Sequence, residues 1–175
     1  MGVAMSSLSQ ELAEAVAVAG RHVVRIEGRR RGPSSGVVWS ADGFVVTNHH
    51  VLERDEGIAV GLADGATTTA KVVGRDPGTD VALLRVDASG LETPTWAEAD
   101  GLRVGFLALA VSRPGRSARA RLGIVSTLGE AWRSPAGGRL DRYVETDIPI
   151  QIGFSGSALV GGDGGLLGLN SAGLM

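Results

Sequence analysis

The stretch Asp42-Gly43-Phe44-Val45-Val46-Thr47-Asn48-His49-His50-Val51 decides the fold. It opens on an Asp-Gly pair, a strong signal for a tight hairpin turn. A β-branched apolar run follows and ends in a polar cluster holding two histidines. The segment reads as a strand that leaves a turn and delivers imidazoles at its far end. Strand side chains alternate between faces, so His49 and His50 should point in opposite directions, and at most one of them faces a given site.

Working outward, the same rhythm recurs on both sides. Short β-branched runs separated by Gly, Asp-Gly and Pro predict strands near residues 21–27, 35–40, 43–47, 57–62, 67–74 and 80–86. Asp64-Gly65 marks a second hairpin turn. Six strands suffice to close a small antiparallel barrel. A second block predicts strands near 104–111, 117–127, 141–147, 156–160 and 165–171, the last two joined by Gly161-Gly162-Asp163-Gly164-Gly165. Upstream of the strands, Leu8, Leu12, Ala15, Val16 and Ala19 recur at helical spacing, predicting a helix over 7–19. Ser7 with Gln10 reads as its capping box and Gly20 as its stop. The expected organisation is a helical arm over 1–19, a barrel over 20–92, a connector over 93–103 and a second barrel over 104–175.

Composition bounds the function. Of 175 residues, 43% are hydrophobic and 21% charged, which suits a folded domain with a core. The 27 glycines and 4% aromatics suit many tight turns around a small-residue core. Net charge is −2, with no basic face that would suggest a nucleic-acid partner. The dense basic run Arg29-Arg30-Arg31, flanked by Gly28, Gly32 and Pro33, reads as a solvated loop rather than a phosphate site. No cysteine is present, which rules out disulfides, thiolate catalysis and Cys-based zinc sites. No apolar run approaches the roughly 20 residues of a membrane span. Glu11 and Glu14 interrupt any signal-peptide core near the N-terminus.

Gly153-Phe154-Ser155-Gly156-Ser157 lies between apolar segments. Glycines beside a serine let the backbone turn sharply and present both a hydroxyl and nearby N–H groups, as acyl transfer requires. In isolation the pattern is better read as a turn serine. A nucleophilic serine needs a base, and the only histidines, His22, His49 and His50, all precede Ser155. That order rules out the α/β-hydrolase arrangement and permits His, Asp, Ser on β-barrels. His22, inside an early strand, reads as structural. Asp76 and Asp80 are the carboxylates on offer to orient the base: Asp76 precedes Pro77-Gly78 and suits a turn cap, while Asp80 directly precedes an apolar strand.

Together these segments resemble the HtrA/Deg family of chymotrypsin-like serine proteases. The carriers are Ser35-Gly36-Val37-Val38 with Asp42 to Val51, then Gly74-Arg75-Asp76 with Thr79-Asp80-Val81-Ala82-Leu83-Leu84, then Glu145-Thr146-Asp147, Gly153-Phe154-Ser155-Gly156 and Gly164 to Asn170. The resemblance covers roughly residues 20 to 173. The family histidine directly precedes a valine, so the resemblance implies a triad of His50, Asp80 and Ser155. It also implies an oxyanion hole from the N–H groups of Gly153 and Ser155. The implied fold is all-β: two antiparallel six-stranded barrels with the site between them, behind a short N-terminal helix. The second barrel shows one strand fewer, and the expectation is a chain lacking its last strand, completed by a C-terminal segment or PDZ domain.

By the same resemblance, Pro149 and Ile150 line the primary specificity pocket, with no carboxylate to receive a basic residue. Cleavage after small or medium apolar residues is expected. The strand at Ser171, Ala172 and Gly173 is expected to pair with the substrate backbone. Implied partners are polypeptides, no metal or cofactor is required, and localisation stays open, the family being often periplasmic or secreted. Two departures are Phe154 where many members carry Asn, and Ser157-Ala158 where many carry Gly-Pro. A competing reading is a non-catalytic, chaperone-like binding module on the same fold.

Overall fold

The Asp42-Gly43 turn joins β2 (Ser34–Ser40) to β3 (Phe44–Asn48), with Val37 opposite Val46 and Val38 opposite Val45. In this computed structural model, which describes residues 2–174, these strands belong to a closed six-stranded barrel. Its other members are β1 (Val23–Glu27), β4 (Ile58–Gly61), β5 (Thr67–Asp76) and β6 (Val81–Val86), in the order β1-β2-β3-β6-β5-β4. All six strands expected from the sequence form. Alternation supplies the core: β6 buries Ala82, Leu84 and Val86, which meet Val24, Ile26, Val38, Val45, Ile58 and Val60 inside the barrel. Each such fully buried aliphatic side chain contributes about 1.5–3 kcal/mol relative to exposure.

The second half is an open five-stranded sheet in the order β11-β8-β7-β12-β13. Its strands are β7 (Leu107–Ser112), β8 (Arg119–Gly129), β11 (Tyr143–Thr146), β12 (Ala158–Gly161) and β13 (Leu166–Leu169). A small hairpin, β9 (Trp132–Arg133) with β10 (Arg139–Leu140), was not expected from the sequence. It leans on the first barrel, where the Ser134 hydroxyl donates to the Gly78 carbonyl.

Two sequence expectations need correction. The helix α1 runs Gly2–Gly20, so Ser7 is interior and forms no capping box. Its hydroxyl donates to Glu11 one turn on, because helix-favouring residues such as Ala4 and Met5 carry the helix further toward the N-terminus. Gly20 does end it. The last strand stops at Leu169, and Ser171 to Gly173 bend away. The Gly173 N–H donates to the Ser171 hydroxyl, a local bond that replaces strand pairing.

The halves meet through a second apolar cluster. Val23 and Val37 of the barrel pack with Leu109, Val111, Ala158, Val160 and Leu166 of the sheet, and α1 adds Leu12, Ala15, Val16 and Ala19. Strand β2 is therefore buried on both faces, one toward each half. Among the described residues no helix is long and apolar enough to cross a membrane.

Candidate active site

Pairing of β3 with β6 sets Asn48 opposite Val81, which brings the end of β3 against Asp80. Past Asn48 the chain turns through a single 3-10 turn, His49–Val51. The histidines thus diverge as expected, but from a turn and not from strand alternation. His50 directs its Nδ1 to Asp80 Oδ2 at 2.7 Å and its Nε2 to Ser155 Oγ at 3.1 Å. His49 faces elsewhere: its Nδ1 accepts from the Arg75 guanidinium at 3.0 Å. Arg75 also donates to the His49, Leu52 and Arg54 carbonyls and pairs with Asp55, tying down the segment after His50.

Asp80 is buried and densely served. Its Oδ1 accepts the His50 backbone N–H at 2.9 Å, and its carbonyl accepts from the His49 N–H and the Asn48 side chain. Its Oδ2 accepts the Ser171 hydroxyl as well as the His50 ring. Burial opposes its charge, but the His50 ring, the Ser171 hydroxyl and the His50 N–H outweigh it and hold the carboxyl below the usual carboxylate range. Asp80 is the one non-glycine with positive φ, 56°, among the described residues. Aspartate tolerates that region better than most residues. Asp76 is the turn cap expected of it, accepting from Gly78 N, Thr79 N and the Thr79 hydroxyl.

Ser155 comes from the other half, in the segment that leads into β12. Two bonds fix it against β2 and a third ties it to the residue after β13. The Ser35 N–H donates to the Ser155 carbonyl at 3.1 Å, the Ser35 hydroxyl to the Gly153 carbonyl at 2.9 Å, and Gly156 N–H to the Asn170 carbonyl at 2.9 Å. Gly156 has φ +75°, and an added Cβ would lie 2.1 Å from the Ser35 carbonyl oxygen. Only glycine lets this corner approach β2 so closely. Among the described residues the N–H groups of Gly153 and Ser155 donate to no acceptor in the chain. Both residues are buried, so these are two free donors beside the Ser155 hydroxyl.

The other expected site residues are distributed as follows. Ile150 is half-buried against the core of the second sheet. Ser171 turns its hydroxyl onto Asp80, and a Cβ on Gly173 would sit 2.8 Å from His50 Nδ1. Ala172 is exposed. His22 is buried, with Nδ1 at 3.0 Å from the Glu92 carbonyl, apart from this constellation.

Two arginines were missed by the sequence reading. Arg121 on β8 lies 4.7 Å over the Phe154 ring and donates to the Pro149 carbonyl at 3.0 Å and to Gln151 at 2.6 Å. It braces the whole Pro149–Phe154 loop. Arg113 is buried among carbonyls, donating to Val23, Gly20 and Arg116, and burial lowers its pKa. Neither lies in a local pattern that marks such a role.

The barrel, the second sheet and the Asp80–His50–Ser155 chain between them define the chymotrypsin-like class. The trypsin-like peptidase domain family matches residues 34–169. The chain belongs to that family and, within it, to the HtrA/Deg proteases. Similar proteins include the probable periplasmic serine protease do/HhoA-like of Haemophilus influenzae, 40% identical over 81% of this chain and 31% of that protein. The periplasmic serine endoprotease DegP of Escherichia coli K12 is 40% identical over 79% of this chain and 29% of that protein. Among solved structures, Deg5 superposes with TM-score 0.82 at 30% identity, over 94% of this chain and 85% of that one. The HtrA-type protease AlgW, solved as a serine-to-alanine variant with a tripeptide, superposes with TM-score 0.78 at 35% identity, over 90% of this chain and 53% of that one. The chain spans less than a third of the length of these two curated relatives.

Proposed function

We propose that this chain is a serine endopeptidase. The observation that carries the reading is the continuous relay from Asp80 Oδ2 to the His50 ring, 2.7 Å, and on to Ser155 Oγ, 3.1 Å. Ser155 Oγ attacks the scissile carbonyl as His50 Nε2 takes its proton. Asp80 keeps the remaining ring proton on Nδ1 and stabilises the imidazolium. The N–H groups of Gly153 and Ser155 receive the oxyanion. His50 then protonates the leaving amine, and a water activated by the same imidazole releases the acyl group and restores Ser155.

Pro149 and Ile150 give the pocket for the residue before the scissile bond an apolar floor, so the proposed preference is Val, Ala or Leu. A library screen that selects Arg or Lys there would overturn this. The backbone of Ser171 to Gly173 beside His50 is the proposed rest for the acyl half of the substrate. Proposed substrates are polypeptides. These relatives are periplasmic proteases, so the periplasm or the cell exterior is the proposed location. A C-terminal segment or PDZ domain, as a partner, would meet the sheet at the outer edge of β11, or at β13 beyond Leu166, whose own outer edge is taken by Thr95 and Ala97.

A fluorophosphonate probe tests the chemistry. Labelling is expected on the 175-residue chain and is expected to vanish in Ser155→Ala and His50→Ala. A folded chain that takes no label, or His50→Ala that labels as the parent does, overturns the reading and favours a binding module.

A further inference from the structure

Resting on that endopeptidase reading, we infer that the leaving-group side of the cleft is a cationic subsite for acidic polypeptide segments, so that substrates with Asp or Glu downstream of the scissile bond are preferred. Two loops wall this side. The first, residues 28–33, begins on the turn that carries His50: the Gly28 carbonyl accepts Glu53 N–H at 2.8 Å, and a Cβ on Gly28 would touch Leu52 and the Val51 carbonyl. It runs into β2 at Ser34, next to Ser35, whose N–H and hydroxyl hold Ser155 and Gly153. The second follows β7. Arg113 N–H donates to Ser35 Oγ at 2.9 Å, and Pro114 lies 2.8 Å from where a Gly153 Cβ would be. The Pro33 carbonyl is on that same spot, at 3.9 Å. Both loops therefore converge on the oxyanion turn.

The direction of the substrate follows. The acyl half rests toward Ile150 and the segment after Asn170. The chain beyond the scissile bond leaves past His50, between the two loops.

Those loops and the strand that follows carry Arg29, Arg30, Arg31, Arg116 and Arg119. Arg30, Arg31, Arg116 and Arg119 are exposed and Arg29 is half-buried. Among the described residues none of the five is ion-paired; Arg54, Arg103, Arg113, Arg121 and Arg133 also lack an ion pair, so it is the clustering of the five on these loops that sets them apart. Glu53, the carboxylate that touches the first loop, is engaged by the Arg30 backbone N–H. Arg119 opens β8 opposite Ser112, so it stands at the base of the second loop. The buried Arg113 guanidinium donates to the Arg116 carbonyl at 2.6 Å, fixing the backbone from which the Arg116 side chain projects. In a chain of net charge −2, five cations set against the Glu53 carboxylate at one end of the cleft form a net positive local field that attracts anionic segments.

The test uses quenched peptides with Val before the scissile bond and, downstream, Asp-Glu, Ser-Gln or Lys-Lys. An exposed charge contact is worth a factor of roughly 1.5 to 5. The Asp-Glu peptide should therefore exceed Ser-Gln in kcat/KM by about 2- to 20-fold at low salt, collapsing toward unity as the Debye length shrinks toward ~3 Å at about 1 M salt. The preference should disappear in R29Q/R30Q/R31Q/R116Q/R119Q and weaken in R29Q/R30Q/R31Q. The same three downstream sequences, titrated by anisotropy onto Ser155→Ala, read the surface without turnover. If no peptide is cleaved yet Ser155→Ala still binds Asp-Glu best, the catalytic reading fails and the cationic subsite stands. Equal handling of Asp-Glu and Ser-Gln, or a preference that survives the five substitutions, overturns the inference. So does binding of a single-stranded oligonucleotide where acidic and neutral peptides bind alike.

Discussion

Replacing Gly156 by alanine adds one carbon at the corner where the two halves of the protein meet. That carbon would lie 2.1 Å from the Ser35 carbonyl oxygen and 2.5 Å from Thr47 Oγ1. Neither neighbour is free to yield. Ser35 and Thr47 are fully buried in adjacent strands, and the Thr47 hydroxyl is bonded to that same carbonyl at 2.6 Å. Close carbon–oxygen contacts settle near 3.3–3.6 Å, so the turn must retreat from β2 by about 1 Å. Retreat stretches the bonds from Ser35 to Ser155 and Gly153, now 3.1 and 2.9 Å. The positive φ costs an alanine about 1–2 kcal/mol, and overpacking adds about 1–3. A total of about 2–5 kcal/mol corresponds to a fall of roughly 5–15 °C in Tm for a chain this long. Displacement of Ser155 by about 1 Å costs on the order of 100-fold in kcat/KM.

Gly164→Ala is the matched control. Its φ is +84°, but an added Cβ meets only Ala15 at 3.8 Å, an ordinary contact. It carries the backbone cost without the clash and lies away from Ser155, so kcat/KM should hold. The assay is thermal melting of both variants, with peptide hydrolysis measured well below either midpoint. A Gly156→Ala protein that melts within about 2 °C of Gly164→Ala, with more than roughly a tenth of wild-type kcat/KM, refutes the reasoning.

Three further outcomes are expected. His50→Ala should lose about 10⁴-fold or more in peptide hydrolysis. His49→Ala should stay within about tenfold, because Arg75 keeps Asp55 and its three backbone carbonyls; the reverse order would move the base to His49. Arg121→Met keeps an apolar contact on Phe154 but frees the Pro149 carbonyl and Gln151, so kcat should drop about 5- to 50-fold with KM changed less. A kcat within twofold of wild type would make Arg121 a surface residue only. Asp80, held below the usual carboxylate range in the folded protein, stabilises it above the unfolded carboxyl value near pH ~4 and loses that contribution as pH falls through its own lower pKa. The difference in Tm between the parent and Asp80→Asn should be constant from pH 6 upward and shrink below about pH 4; a difference that grows in acid would contradict the sign.

What was legible in the sequence had a local cause. The strands of the first barrel announce themselves because β-branched runs are cut by Asp-Gly turns, and the order of His50, Asp80 and Ser155 restricts which fold could join them. Local signals also misled. Ser7 and Gln10 match a capping box, yet helix-favouring neighbours continue the helix past them. The strand pattern continues beyond Leu169, yet Ser171 turns its hydroxyl to Asp80, 91 positions away. The prediction for His49 and His50 was right about direction and wrong about cause, since a 3-10 turn separates them. What stayed hidden depends on contacts across the cleft. Ser35 reads as one more strand residue, but its hydroxyl reaches Gly153, 118 positions on, and receives Arg113, 78 positions on. No window of sequence holds both ends of such a bond. The same is true of the arginines. Arg29 to Arg31 look like a solvated loop in isolation, and the proposed acidic ligand comes into view only once folding sets their loop against Gly153 through Pro33 and against the turn that carries His50 through Gly28.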